Sequence, residues 1–332
     1  MQNKVHITSI KQISAQQPLV DDWFERPVFY KEPYVRSLEP DYKQYFTPNE
    51  SRRLGKILKR ALLVSRQAIS ECGVPDAIIT GTGLGCIENT EIFLEKLVRD
   101  GEELLNPTHF MQSTHNTISS LIAIDAKCYS YNSTYAHKGI SFECALLDAF
   151  IQLKNDARHI NTALVGAHDE MTPSYFTLLK KSGYLGKPNQ TFAGETAVAM
   201  MLSVEKTEKT LCEIEAVEKV YGLHHFDKAK HFEGIDAILV GTNGVEENDK
   251  IYFENCAQLF PNVPLMQYKN IFGEGLTVPA LGVYAAATCL KKGIIPEHLL
   301  LNENSNIFSL RKIMCYNHFE GKNHTFILLS KC

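Results

Sequence analysis

Few residues in this chain are of a type and spacing that could do chemistry. Ser141-Phe-Glu-Cys144 puts a hydroxyl and a thiol three positions apart, just ahead of an apolar stretch. A thiolate at a helix start can carry an acyl group, but a thiol inside a helix reads as core, and Cys144 falls inside one. His168-Asp169-Glu170 sets three potential metal ligands in a row at a strand end. No further ligand type joins them, and no metal is expected. Gly81, Gly83 and Gly85 alternate with other residues, which is not the spacing of a dinucleotide fingerprint, and no cofactor is expected. There is no Gly-x-Ser-x-Gly elbow, so a hydrolase of that type is excluded. His224, His225 and His231 lie in a polar stretch and are expected at the surface.

The bulk properties narrow the setting. Of 332 residues, 44% are apolar and 22% charged, an ordinary soluble composition. The net charge of −4 leaves no basic footprint for nucleic acid. Arg52, Arg53 and the run from Lys56 to Arg60 cluster locally; on a helix this predicts a solvated face, with docking of an acidic partner as the other reading. Nine scattered cysteines without a CxxC pair point to a reducing, cytoplasmic compartment. No apolar run is long enough to span a membrane, and the first residues do not read as a signal peptide.

Positioning any site requires a scaffold, and the pattern predicts an α/β one. Strands are expected at residues 5–10, 76–81, 127–134, 162–166, 197–204, 212–220, 236–240, 263–267, 312–316 and 324–330. Helices are expected at 90–99, 116–126, 142–153, 246–259 and 275–292, and in one stretch from Thr47 to Cys72. Thr47-Pro-Asn-Glu50 opens that stretch with a capping box and a proline at the first helical position, and Gly73 stops it. Residues 15–46 read as an irregular excursion. Alternation of strands and helices argues buried sheets.

Two stretches recur. Asp76-Ala-Ile-Ile-Thr-Gly-Thr matches Asp236-Ala-Ile-Leu-Val-Gly-Thr. The segment from Phe192 to Ser203 can be laid on that from Phe319 to Ser330, with Phe, Gly, Leu and Ser in the same frame. The same order in each half predicts two related lobes, 1–206 and 207–332, with the second shortened.

A duplicated α/β chain resembles the thiolase superfamily, and several stretches resemble its β-ketoacyl synthases. Thr80-Gly-Thr-Gly-Leu-Gly-Cys86 is similar to their early glycine turn, and Pro107 to Asn116 to the segment leading to the subunit interface. Ala145 to Ala149 and Ala163 to Glu170 resemble the helix after the nucleophile and the next strand, with His168-Asp169-Glu170 in place of a small acidic turn. Lys269-Asn-Ile-Phe-Gly-Glu274 resembles the Lys-x-x-x-Gly-His block, and Phe319-Glu-Gly-Lys-Asn323 the closing Phe-Gly-Gly-Thr-Asn turn. The resemblance implies a thiolase-like fold in five layers, αβαβα.

It also implies which residues should be catalytic, and they are missing. Condensation uses a cysteine thiolate and two imidazoles that stabilise developing negative charge. The cysteine position falls on Gly139 or, by another anchor, on Ser141. The first histidine position falls on Gly241 and the second on Glu274, whose charge would oppose an oxyanion. Lys269 is kept, as is Phe319, where the family has a gating aromatic beside the acyl pocket. The resemblance therefore implies a silent subunit like the chain-length factors that pair with an active ketosynthase. Gln112-Ser-Thr-His-Asn-Thr117 and Ser141-Phe-Glu look closest to synthases of aryl polyene or flexirubin-like pathways in fatty acid and polyketide biosynthesis. Expected partners are an active ketosynthase or a second copy, and an acyl carrier protein. Ile118, Leu121, Ile122 and Tyr131 are expected at the dimer interface. The alternatives are an altered condensing enzyme using Ser141 or Glu274, and an acyl-binding scaffold.

Overall fold

The computed structural model describes residues 3–102, 105, 107–155, 159–226, 232–301 and 309–332. His231 and the side chains of Arg53 and His225 lie outside the described residues.

Among the described residues, ten strands form one sheet: β1 (Val5–Ile13), β2 (Ala77–Gly81), β3 (Tyr131–Tyr135), β4 (Thr162–Asp169), β5 (Thr196–Ser203), β6 (Cys212–Tyr221), β7 (Ala237–Val240), β8 (Leu265–Gln267), β9 (Lys312–Phe319) and β10 (Asn323–Ser330). Their order is β3-β2-β4-β5-β1-β6-β10-β9-β7-β8. Read from each outer edge inward, the halves run 3-2-4-5-1 and 8-7-9-10-6, the same order with every number raised by five. The senses also match: β2 is parallel to β3 and β4 as β7 is to β8 and β9, while β5 and β10 run antiparallel to their neighbours. The repeated stretches fall on equivalent strands, β2 with β7 and β5 with β10. Even the local chemistry repeats. Asp76 Oδ2 accepts from the backbone N–H groups of Asn161 and Thr162 ahead of β4, and Asp236 Oδ2 from those of Arg311 and Lys312 ahead of β9.

The helices are α1 (Pro48–Arg53), α2 (Lys56–Cys72), α3 (Ile87–Asp100), α4 (Pro107–Ser113), α5 (Thr117–Ala126), α6 (Ser141–Asn155), α7 (Pro173–Lys181), α8 (Glu246–Leu259), α9 (Lys269–Phe272) and α10 (Pro279–Lys292). Side-chain alternation along the strands sorts the core into layers. Ala77 and Ile79 of β2, and Ala237 and Leu239 of β7, face a central cluster holding the apolar residues of α6 and α10. Ile78 and Leu164 face the other way, against α2 and α5. Ile238 and Val240 face α8 through Tyr252 and Cys256. The result is helix, half-sheet, helix, half-sheet, helix. α10 is buried almost all round, and Ala280 and Ala285 to Ala287 keep it slim enough to lie between the half-sheets.

The structure departs from the expected elements in ways with local causes. The helix expected from Thr47 to Cys72 breaks at Leu54, which is extended (ψ 128°), and restarts after Gly55, a poor helix former. Arg60 is not on a solvated face. Three residues after Ile57, it lies on the buried side of α2, 1% exposed, paired with Glu39 (2.5 Å) and Glu195 (2.9 Å). Glu195 Oε2 also accepts from the Ser37 N–H, so this cluster pins the irregular excursion to the turn before β5. The strand expected from residue 127 begins only at Tyr131, because Lys127 takes a left-handed conformation (φ 54°) to close α5. α10 starts at Pro279 rather than Gly275, with proline in the first turn. None of the described helices is long and apolar enough to cross a membrane.

Candidate functional site

The C-terminal end of β3 turns sharply into α6, and the turn carries the first candidate. Lys138 adopts φ 51°, and Gly139 is buried behind it. The Ser141 hydroxyl donates to the Lys138 carbonyl and accepts from the His137 N–H, both at 2.7 Å, so it ties the turn to the helix. Ser141 is fully buried. Gly81, at the end of β2, lets this helix start close in: a Cβ there would stand 2.5 Å from the Ser141 carbonyl carbon.

Gly139 has no room for a side chain. A Cβ on it would lie 2.3 Å from Cδ2 of Phe319. Phe319 ends β9, and left-handed Glu320 (φ 56°) and Gly321 (φ 64°) turn the chain into β10. The ring thus fills the space into which a residue at 139 would project.

Gly241, just after β7, is closed off in the same manner. A Cβ there would meet the Tyr252 hydroxyl at 2.6 Å and Asn317 Oδ1 at 3.0 Å. The Tyr252 hydroxyl donates to Asn317 Oδ1 (3.0 Å) and accepts from the His318 N–H (3.2 Å). Asn317 Nδ2 donates to Glu143 Oε1 at 2.6 Å, joining β9 to α6. Glu143 is fully buried and its Oε2 has no protein partner. Burial pushes its carboxyl up to about 7, against the lowering effect of the Asn317 bond. Burial also lowers His318 to about 4, so that ring is neutral near pH 7.

Lys269 and Glu274 face each other across α9. Lys269 Nζ donates to both carboxylate oxygens, at 3.0 and 2.9 Å, and each residue is 5% exposed. Glu274 also accepts from Asn243 Nδ2 (2.7 Å) and the Gly275 N–H (3.0 Å), which fills its acceptor sites. A lysine and a carboxylate held this way neutralise each other.

These groups surround one cavity of about 210 Å³, lined by Gly139, Asn243, Lys269, Glu274, Asn317 and Phe319 among others. Of the candidates read from sequence, it brings together Gly139, Lys269, Glu274 and Phe319. Gly241 lies behind Asn317, and Ser141 does not line the cavity. The cavity wall holds no thiol, and its one imidazole, His318, is committed through both nitrogens. Tyr252, Asn317, Asn243 and Glu143 were not read as site residues; single polar residues inside apolar strands and helices give no periodic signal.

Other candidates fall elsewhere. Cys144 is half-buried rather than in the core, and its Sγ accepts from Lys219 Nζ of β6 at 3.2 Å. All nine cysteines are unpaired. Asp169 accepts from the N–H groups of Gly83 (2.9 Å) and Leu84 (2.8 Å) and from the Thr82 hydroxyl (2.8 Å), so it holds the glycine turn. Glu170 accepts from the Glu88 N–H in the first turn of α3 (3.0 Å). His168 is buried with neither ring nitrogen bonded.

The expected interface residues divide. Ile118 and Ile122 are each 1% exposed and pack with the α2 cluster, so they cannot lend area to a partner; they sit on the inner face of α5. Leu121 and Tyr131 are half-buried. Leu121 lines an open groove of about 1100 Å³ between α2, α4 and α5. Tyr131 lies on β3, the outermost strand of its half-sheet, and its hydroxyl donates to Asp148 Oδ2 (2.8 Å).

Comparison with known proteins gives one family and a set of structures. A family model described as "Beta-ketoacyl synthase, N-terminal domain" matches residues 34–239. No curated protein matches the chain. Among solved structures, the ishigamide ketosynthase/chain length factor superposes with a TM-score of 0.77 at 16% identity, over 100% of both chains. A β-ketoacyl synthase from Burkholderia phymatum STM815 gives 0.77 at 12% identity, over 99% of this chain and 100% of that one. A ketosynthase (ApeO) in complex with its chain length factor (ApeC) from Xenorhabdus doucetiae gives 0.72 at 15% identity, over 99% and 98%.

Proposed function

The chain belongs to the β-ketoacyl synthase family and has its thiolase-like fold, and on that premise we propose that it is a non-catalytic, chain-length-factor-type partner of an active ketosynthase. One observation supports the reading: the three residues that the resemblance lays on the family's catalytic positions are taken up by packing or by charge neutralisation. The Phe319 ring stands over Gly139, Tyr252 and Asn317 close the space at Gly241, and Lys269 neutralises Glu274. A protein that had merely lost a nucleophile would be left with an unfilled gap at that position. Here neighbouring side chains occupy the space that a side chain at 139 or 241 would need, while the cavity beside Gly139 and Glu274 stays open. The matching strand orders support a division into lobes 1–206 and 207–332.

The altered-enzyme alternative has little to work with. The Ser141 hydroxyl is committed to backbone groups on both its donor and acceptor sides. Glu274 accepts from Lys269, Asn243 and the Gly275 N–H, so its carboxylate oxygens are already engaged within the protein. The proposed role has two further parts: a place in fatty acid or polyketide biosynthesis of the aryl polyene kind, in the cytoplasm, and contact with an acyl carrier protein. A dimer would form through β3 and its flanks, with Leu121 and Tyr131 at the contact.

The test is intact-mass analysis after incubation with acyl carrier protein loaded with acyl and malonyl groups. No covalent adduct should form on this chain alone, while a co-expressed ketosynthase should co-elute with it and become acylated. A stoichiometric adduct on Ser141 or Cys144 would overturn the reading.

A further inference from the structure

Of the nine cysteines, six are buried: Cys86, Cys128, Cys212, Cys256, Cys289 and Cys315. A reagent in solution meets Cys72, Cys144 and Cys332. These three thiols differ in what they touch. Cys72 Sγ donates to the Thr8 hydroxyl (3.4 Å), and Cys332 Sγ lies 3.6 Å from His6 Nδ1. Among the described residues, Cys144 Sγ alone has an amine against it, Lys219 Nζ at 3.2 Å.

The pair joins the two halves of the chain. Cys144 lies in the first turn of α6 and Lys219 near the end of β6, 75 residues apart in sequence. Both are half-buried. The lysine backbone is fixed by the sheet, opposite Thr325 of β10. The carboxylates of α6 on either side of Cys144 are engaged elsewhere. Asp148, one turn on, accepts from the Tyr131 and Tyr135 hydroxyls (2.8 and 3.1 Å) and from Gln152 Nε2 (3.1 Å). Glu143 accepts from Asn317 Nδ2 (2.6 Å). Among the described residues, the sulfur is therefore the one hydrogen-bond acceptor that Lys219 has.

An amine in contact with a reduced thiol cannot bond to it, because the sulfur carries no leaving group. A peroxide supplies one. Attack of the sulfur on hydrogen peroxide forms an S–O bond, breaks the O–O bond and releases water, which leaves a sulfenic acid. The lysine amine, having given one proton to solvent, can then attack that sulfur. An N–S bond forms, the S–O bond breaks, and the departing hydroxide takes a second proton from nitrogen to leave as water. The sulfur loses two electrons and the peroxide gains two. Sulfenic acids condense with nitrogen in this way, and the step is reversible. The distance of 3.2 Å falls within the about 3–3.5 Å of a near-attack arrangement. Closing it to a bond takes only rotation within the flexible lysine stem.

We propose that Cys144 and Lys219 form an oxidative modification site, at which a peroxide converts the pair into a reversible S–N cross-link tying α6 to β6. Neither residue lines the cavity beside Gly139, so the proposal does not depend on catalytic silence.

The experiment treats the native chain with hydrogen peroxide, digests it and reads the peptides by mass spectrometry. We expect the peptide holding Cys144 joined to the one holding Lys219, short of their summed mass by two hydrogens and separated again by dithiothreitol. This readout involves no change to the protein. In a Lys219→Gln variant the cross-link should vanish. Capture of the Cys144 sulfenic acid by dimedone should then rise about fivefold or more, because no amine at near-attack distance competes for it. Cys144 oxidised in the native chain with Lys219 left free would overturn the proposal. So would equal dimedone capture in the two chains, or a Cys144 thiol that stays reduced while Cys332 is consumed.

Discussion

The Phe319 ring and Gly139 share one volume: a Cβ placed on Gly139 would stand 2.3 Å from the ring, far inside contact distance. The two residues come from different halves of the chain, the turn before α6 and the end of β9. Overpacking of this kind costs about 1–3 kcal/mol. Gly139→Ala should therefore lower unfolding stability by about that amount in urea titrations. Gly139→Ala combined with Phe319→Ala should be less destabilised than the sum of the two single variants. Simple additivity in the double-mutant cycle would mean that the two residues do not compete for space.

The Lys269–Glu274 pair permits a second cycle. Removing one partner of a buried ion pair leaves a charge without compensation, at a cost of about 3–5 kcal/mol. Lys269→Met alone should lose about that much stability near pH 7. Lys269→Met with Glu274→Gln should recover most of it, because no buried charge remains. If the single variant matches the native chain in chemical denaturation, the pair is not buried as described.

Glu143 makes stability depend on pH. Its folded value of about 7 lies above its ordinary 4.5, so the native state holds this proton more tightly than the unfolded chain does. Its contribution is fully present below pH 4.5 and is lost as pH rises through 7. His318, lowered to about 4, acts in the opposite sense, adding stability as pH rises from 4 toward its ordinary 6.5. Glu143→Gln keeps the acceptor for Asn317 and removes only the titration. The variant should gain stability relative to the native chain as pH goes from 4 to 8, by about 2–3 kcal/mol. A pH-independent difference in melting curves would place the Glu143 carboxyl in contact with solvent.

How much of this was legible in the sequence depends on which interactions write a pattern. The layered α/β fold was legible because burial on both faces gives the apolar runs at Ile78 and Ile238, and because the Asp76 and Asp236 stretches repeat. The assignment of Gly139, Gly241 and Glu274 to the proposed emptied positions rests only on order along the chain, where Lys269 and Phe319 serve as anchors. What packs against them was not legible. Tyr252 reaches Gly241 from a helix eleven residues further on, and Glu143 meets Asn317 across 174 residues of sequence, so no local spacing announces either. The same limit misplaced Arg60, Ile118 and Ile122. Charge and apolarity were legible there, but which face of the helix meets the sheet was set by tertiary packing.

The proposed interface changes with that correction. Ile118 and Ile122 already pack inside the chain, so the proposed partner would use the outer side of α5 and the exposed edge beyond it. Leu121 stands at the boundary, half-buried and lining the open groove, with Ile124 72% exposed one turn on. An arginine at 121 can extend along the groove and keep its guanidinium in water while the chain is alone. Covered by a partner, the same charge would be buried without a counter-ion, at a cost of several kcal/mol. Leu121→Arg should therefore leave the far-UV circular dichroism and the melting of the single chain nearly unchanged, yet abolish co-elution with a co-expressed ketosynthase in size-exclusion chromatography. Loss of fold in the variant would show Leu121 to belong to the core, like its neighbours. Intact co-elution, with product of full length still made, would remove α5 from the contact and with it the proposed dimer through β3.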